Sequence, residues 1–310
     1  MKIIQRPPFW GGFCIGKAYL MLILCLSTDC YNLWMRYILF LIFIACFFSY
    51  YIFEPASRAE IIFFDVGQGD SFALKTKAGK IIIVDGGPNW NSLDSLGRWL
   101  GFGHNHINMI ILSHDHEDHL SALPEILERY QVDKLILPTG LNSQSSVALL
   151  KAAKNNHVNS EQLDERRCYD LEENCALCIF PPNQDFINSK DKNDLSLALH
   201  FQCDGLSLAA AGDASKKREE SLLGENFNWR AQILKISHHG SATASSILYL
   251  RAISPYLAFI SVGANNSYGH PADSTLIRLR NFAVTVWRSD ELGSLLIYAN
   301  NKKIYFKKAP

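Results

Sequence analysis

From Ala59 onward the chain alternates short apolar runs with stretches of helical spacing. "AEIIFF" (59–64), "SFALKT" (71–76) and "IIIV" (81–84) are strand patterns, with a turn at 77–80 around Gly79. "SLDSLGRWLG" is spaced for a helix, Ile107 to Leu112 reads as a strand, and "LSALPEILERY", "KLILP" and "QSSVALLKAAK" follow as helix, strand and helix. Residues 158–174 are polar and irregular, and read as a surface segment or a poorly marked strand. Strand patterns return at "ALCIF", "LSLALHF" and "LSLAAAG". A helix at "ASKKREESLL", a strand from Ala231 to Ile236, a helix at "ASSILYLRAI" and a strand at "YLAFISVG" come next, before the strand-rich finish "VTVW", "GSLLIYA", "KKIYFKK". Apolar strands ended by glycines are buried strands that deliver loops to one edge. Without repeat or linker, residues 59–310 read as one α/β (α+β) domain.

The N-terminus differs in kind. Tyr37 to Phe53 carries no charge and lies between Arg36 and Glu54. Since about 20 apolar residues cross a bilayer, this stretch predicts a transmembrane helix within a membrane anchor over 1–58. Lys2, Arg6, Lys17 and Arg36 precede its end against the single acid Asp29, so the start is expected in the cytoplasm and the domain outside it. The run from Tyr19 to Leu26 is too short to span alone, and Met35 followed by the apolar run has the look of a signal sequence that begins there. Small residues at Ala56, Ser57 and Ala59 offer a cleavage site, but an uncleaved anchor is the favoured reading.

Charge and cysteines refine this picture. The whole chain balances 30 basic against 30 acidic residues, and removing 1–53 leaves 26 against 29. That excludes a basic, tightly nucleic-acid-binding surface. Cys168, Cys175, Cys178 and Cys203 lie in the body, where an extracytoplasmic location permits disulfides. Cys175 and Cys178 are three apart on a strand pattern and so point to opposite faces, which favours structural cysteines over a zinc pair.

The chemistry concentrates at 110–120, "IILSHDHEDHL", where a strand runs into six consecutive ligand-type side chains. So dense a set at the end of a buried strand would repel and desolvate itself without a cation. His114 and His116 can bind one ion, Asp118 and His119 turn to a second, and Asp213, at the end of another strand, can bridge the two. Nitrogen and oxygen donors suit zinc or manganese, and no cysteine stands among them to close a structural zinc site. Two such ions sharing a hydroxide perform hydrolysis. Further strand ends carry Asp65, Gln68 and Asp70, Asp85, the pair His238 and His239, and a loop with Asn266, Tyr268 and His270. Asp115 and Glu117 are expected to face solvent or shape the loop, and His200 to be packed within its strand.

"DVGQGDS", "VDGG", "SHDHEDH", "NDLSLAL", "AAAGD", "LKISHHGS", "SVGANNSYGHP" and "WRSDELGSL" resemble, in this order, the C-terminal metallo-hydrolase domain of ComEC-type competence proteins, within the metallo-β-lactamase superfamily. The resemblance covers about residues 60–298. It implies an αββα sandwich with two divalent metal ions (zinc or manganese) at one sheet edge, held by His114, His116, Asp118, His119, Asp213 and His239. Asp118, His238 and His270 would be catalytic, with His238 as phosphate binder or general acid. His270 and Asn266 would contact a phosphodiester, and Asp65, Gln68, Asp70 and Asp85 would support the ligands.

The implied function is a membrane-anchored phosphodiesterase acting on DNA during uptake, at the bacterial cytoplasmic membrane with its catalytic domain outside. The channel of such proteins has no counterpart here and would be a separate partner protein. His116 stands where many relatives have aspartate, and Ser121-Ala122 where they have Gly-Gly. At 193–196 no histidine supplies the usual third ligand of the first ion. Two other readings stay open: an esterase of phosphodiester-linked envelope polymers, and a non-catalytic subunit of an uptake machine.

Overall fold

The computed structural model describes residues 33–52, 58–101, 103–300 and 303–309. The expectations resting on Lys2, Arg6, Lys17, Asp29, the run 19–26, Glu54, Ala56 and Ser57 lie outside the described residues. The chain divides into two units, Met1–Ser57 and Arg58–Pro310. In the first, Leu33–Ile52 forms a helix of 20 residues, with side chains described from Trp34 to Cys46. Trp34, Tyr37, Phe40 and Leu41 are exposed on it. Among the described residues no helix is long and apolar enough to cross a membrane.

The second unit contains β1 (Glu60–Phe63), β2 (Phe72–Lys75), β3 (Ile81–Val84), β4 (His106–Ile111), β5 (Gln131–Leu137) and β6 (Asn159–Gln162). After them come β7 (Arg167–Glu172), β8 (Cys175–Phe180), β9 (Ala198–Cys203), β10 (Leu206–Ala210), β11 (Ile233–Lys235), β12 (Leu257–Ile260) and β13 (Thr285–Arg288). A last hairpin, β14 (Leu295–Asn300) and β15 (Lys303–Lys308), returns to the first sheet. One sheet has the order β15-β14-β1-β2-β3-β4-β5-β6, the other β13-β12-β11-β10-β9-β8-β7. β3 to β6 are parallel, as are β10 to β13.

Alternation along the strands makes three cores. Phe63, Leu74, Ile82 and Ile111 face Leu177, Phe201, Leu208 and Phe259 between the sheets. Their neighbours Ile62, Ile83 and Ile110 pack outward against Leu96, Leu123, Ile126 and Leu149 of the helices on that side. On the far side Ala209, Leu234 and Ala258 take Leu222, Leu250 and Leu279. Helix, sheet, sheet, helix is the only layering that buries both faces of two such sheets. Three of the helices begin on serine caps, at Ser143, Ser215 and Ser246, each accepting from a backbone N–H three residues on.

The polar segment 158–174 folds as two strands, β6 and β7, where the sequence marked a surface segment or one faint strand. Each is the outer strand of its sheet. Largely open to solvent, they carry no run of buried positions for a hydrophobic pattern to show. β7 is instead held covalently. Cys168–Cys178 and Cys175–Cys203 are disulfides between residues directly opposite one another on β7, β8 and β9.

Phe63 and Phe259 stack at 4.4 Å between their centroids, one from each sheet. Phe259→Ala is therefore expected to destabilise the unit by about 3–5 kcal/mol, read as a lowered denaturation midpoint. An unchanged midpoint would mean that the inter-sheet core does not hold the halves together.

Candidate metal centre

The parallel strands of both sheets end at the same edge, and their following loops converge there. β3 delivers Asp85, β4 delivers the segment 113–119, β10 delivers Asp213 and β11 delivers His238 and His239. Gly69 brings the first loop in. A Cβ there would lie 2.3 Å from the Asp118 carbonyl oxygen, so only glycine lets Asp70 N–H donate to that oxygen at 3.1 Å. Ser261 Oγ donates to the Gly69 carbonyl from the opposite half of the chain.

Around this edge the histidines are oriented before any ligand arrives. Asp85 accepts from Ser113 N and Ser113 Oγ, both at 2.7 Å, and from His119 Nδ1 at 2.8 Å. His239 Nδ1 donates to the Ser261 carbonyl at 2.9 Å. With each Nδ1 committed as a donor, Nε2 carries the lone pair that a metal would take. Both Nε2 atoms are buried without a hydrogen-bond partner.

Four ligand-type residues face one another across the remaining space. His239 Nε2 is 3.2 Å from Asp118 Oδ2 and 3.3 Å from Asp213 Oδ2, and His119 Nε2 is 3.5 Å from Asp213 Oδ2 and 3.9 Å from Asp118 Oδ1. Ligands at ordinary zinc distances in a tetrahedron stand about 3.3–3.6 Å apart. The spacing therefore fits a cation at the centre of Asp118, His119, Asp213 and His239. A second group lies beside it: His114 Nε2 and His116 Nδ1 are 3.0 Å apart, and His114, His119 and Asp213 offer atoms within 4.8 Å of one another.

His238 and His239 adopt left-handed backbone angles, φ 50° and 52°. Such residues cost about 1–3 kcal/mol each and persist where surroundings enforce them. Here the turn sends His239 inward and leaves the half-buried His238 ring 5.7 Å from that of His270. Tyr268, 68% exposed, stacks on His270 at 6.1 Å. The other candidates sit differently. Asp65 is exposed and its carboxylate accepts from Gly67 N, away from the ligating histidines. Gln68 accepts from Gly263 N, bracing two loops. Asn266 uses its amide on the Gly263 and His270 carbonyls and on the Tyr268 and His270 N–H groups, which pins the loop and leaves the amide no free donor.

Some contributors escaped sequence reasoning. Asp115, expected to face solvent or shape the loop, is buried and does the latter, accepting from Asn142 N, Ser143 N and Lys192 Nζ. Ser113 is the hinge of the Asp85 network. Lys235, 1% exposed, pairs with Asp70 and lies 3.7 Å from Asp213 Oδ1. Its signal was visible in principle, since a lysine inside "AQILKI" is out of place in a buried parallel strand.

Residues 64–154 match the metallo-beta-lactamase superfamily. The chain is 27% identical over 273 residues to ComE operon protein 3 of Bacillus subtilis, covering 82% of this chain and 35% of that protein. It is 28% identical over 243 residues to competence protein ComA of Neisseria gonorrhoeae, covering 78% and 32%. The chain thus spans about a third of the length of these relatives. Among solved structures, the metallo-beta-lactamase fold protein YhfI of Bacillus subtilis superposes with a TM-score of 0.51 at 9% identity, over 74% of this chain and 95% of that one. The chain has the mixed α/β metallo-β-lactamase fold and resembles ComEC-type competence proteins.

Electrostatics favours positive charge at the site. Burial opposes the imidazolium of His239, but Asp213 and Asp70 outweigh it and lift its pKa to about 10. His119 is likewise raised by Asp213 and Asp85 against burial. Burial would raise Asp118, but the facing His239 and His119 hold it below the carboxylate range. Imidazolium stabilisation of the ion-free fold is thus complete below the unfolded value of about 6.5 and is lost as pH rises through about 10 for His239. An entering cation must displace these protons. Apparent affinity for Zn²⁺ or Mn²⁺ should therefore rise between pH 6 and 8, by up to about tenfold per unit for each proton displaced, as measured by titration calorimetry. A pH-independent affinity would contradict the protonated, ion-free site.

Proposed function

We propose that this chain, with its metallo-β-lactamase fold and ComEC-type relatives, is a binuclear metal-dependent phosphodiesterase acting on DNA in a DNA-uptake role. The observation that carries the reading is the set of mutually facing Asp118, His119, Asp213 and His239 atoms, all buried but the half-buried Asp118, with His114 and His116 beside them. Bound divalent ions would supply an activated hydroxide and polarise the phosphoryl oxygens. The chain's own residues do the rest. Asp85 and the Ser261 carbonyl fix the ligating imidazoles, and the sheets behind them keep water from their far side. His238 and His270 stand at the mouth. Burial, with His238 beside it, lowers the pKa of His270 and favours its neutral ring, the form that can accept a proton.

The location follows from two supports. The two disulfides belong in an oxidising compartment, and the exposed apolar side chains on Leu33–Ile52 suit a bilayer. On this reading residues 1–58 tether the chain at the cytoplasmic membrane and residues 59–310 are the hydrolase domain outside it.

Purified chain loaded with Mn²⁺ or Zn²⁺ should hydrolyse bis(nitrophenyl) phosphate and DNA oligonucleotides. His116→Ala and Asp118→Ala should each lower kcat about 100-fold or more, equivalent to about 2.7 kcal/mol. Hydrolysis of the small diester but not of DNA would favour an envelope polymer as substrate, and no hydrolysis with either metal would leave a binding subunit. Because a stacked base contributes about 1–3 kcal/mol, Tyr268→Ala should raise KM for oligonucleotides about tenfold without changing KM for the small diester.

A further inference from the structure

Lys235 is a fully buried charged group at the site that is assigned neither to substrate nor to an ion. It ends β11, its side chain is 2% exposed, and Nζ donates to the Gly212 carbonyl at 3.2 Å. Two carboxylates, one from each sheet's loops, pair with the ammonium. Asp70 comes from the loop after β1 in the first sheet, and Asp213 from the end of β10 in the second. Removing an ammonium from water costs several kcal/mol, and a buried ion pair is frequently no more stable than a well-packed apolar pair. Stability alone therefore does not account for a lysine here.

Geometry shows what it does. The two oxygens of Asp213 are divided: Oδ1 faces Lys235 Nζ at 3.7 Å, while Oδ2 lies 3.3 Å from His239 Nε2 and 3.5 Å from His119 Nε2. Asp70 is anchored in turn through its backbone N–H on the Asp118 carbonyl, and its Oδ1 lies 3.7 Å from His239 Nδ1. A carboxylate free at both oxygens could rotate or chelate a single ion. One whose rear oxygen faces an ammonium at 3.7 Å, with no hydrogen-bond partner of its own, is drawn by that charge to present the other oxygen forward.

We infer that Lys235 is a positioning residue of the metal centre: its charge draws Asp213 Oδ1 rearward so that Oδ2 is presented to the ions, and it pairs with Asp70 behind it. The lysine also offsets one charge of the converging aspartates, which would otherwise repel one another. The inference rests on the reading of this cluster as a metal site. It is independent of what the enzyme hydrolyses.

The test uses the full-length chain in detergent, stripped with chelator, with Zn²⁺ or Mn²⁺ alone as the probe. Bound ions per chain are counted by elemental analysis, dissociation constants come from calorimetry, and folding is followed by thermal denaturation. Lys235→Met should bind the ions about 10- to 100-fold more weakly, the range for losing a group that orients a metal ligand. Should that variant fail to fold, Lys235→Met combined with Asp70→Leu removes the pair together, keeps the interior uncharged behind Asp213, and is expected to fold yet show the same loss. A folded variant of either kind with wild-type affinity and ion count overturns the inference. Wild-type chain that takes up no ion overturns the metal reading itself, and the role of Lys235 with it.

Discussion

Charge balance in a dry interior governs this molecule. Asp70, Asp85 and Asp213 are buried and Asp118 is largely so, and they converge on His119, His239 and Lys235 at the shared edge of two sheets. Leaving such carboxylates unpaired away from water would cost several kcal/mol each. Every loop at that edge is shaped by meeting this requirement. Ser113 brings its N–H and hydroxyl to Asp85, the 238–240 turn accepts left-handed angles to bring His239 inward, and Gly69 gives up a side chain so that Asp70 can approach. Metal binding, in this view, completes a balance that protons and one lysine otherwise maintain.

The rigid part of the site and its open part are built differently. The imidazoles of His119 and His239 are each fixed at Nδ1 by a carboxylate or carbonyl acceptor near a strand end. At the mouth, by contrast, His238, His270 and Tyr268 contact one another mainly through ring faces and edges, on a loop that Asn266 holds by its backbone. The inner layer sets where an ion sits. The outer layer meets whatever polymer approaches and is freer to differ without disturbing the ions.

Much of this was legible in sequence because the strongest signals are local. Apolar runs ending in glycine and acid announce buried parallel strands, and the 114–119 cluster makes sense only with a cation. What was illegible depends on tertiary context. Lys235 occupies a strand position that alternation alone cannot assign to a charged interior. Asp115 could be placed only as facing solvent or shaping its loop, because the partners that decide between the two, Ser143 and Lys192, lie 28 and 77 positions away. Asn266 has the chemistry of a ligand contact and is spent on its own loop. β6 and β7 lack a hydrophobic period because outer strands do not need one. The helical anchor rests on composition, and the described residues add a helix with exposed apolar side chains but no span.

The two loops joined by Ser261 and Gly69 are separated by 192 positions, and those joined by Gly263 and Gln68 by 195. No half of the chain contains a working site. His114 to His119 arrive with one sheet, Asp213 and His239 with the other, so a cation can be gripped only after the sheets have docked. Ion affinity would then be folding free energy by linkage. A bound cation would then report, by its presence alone, that the two sheets have come together.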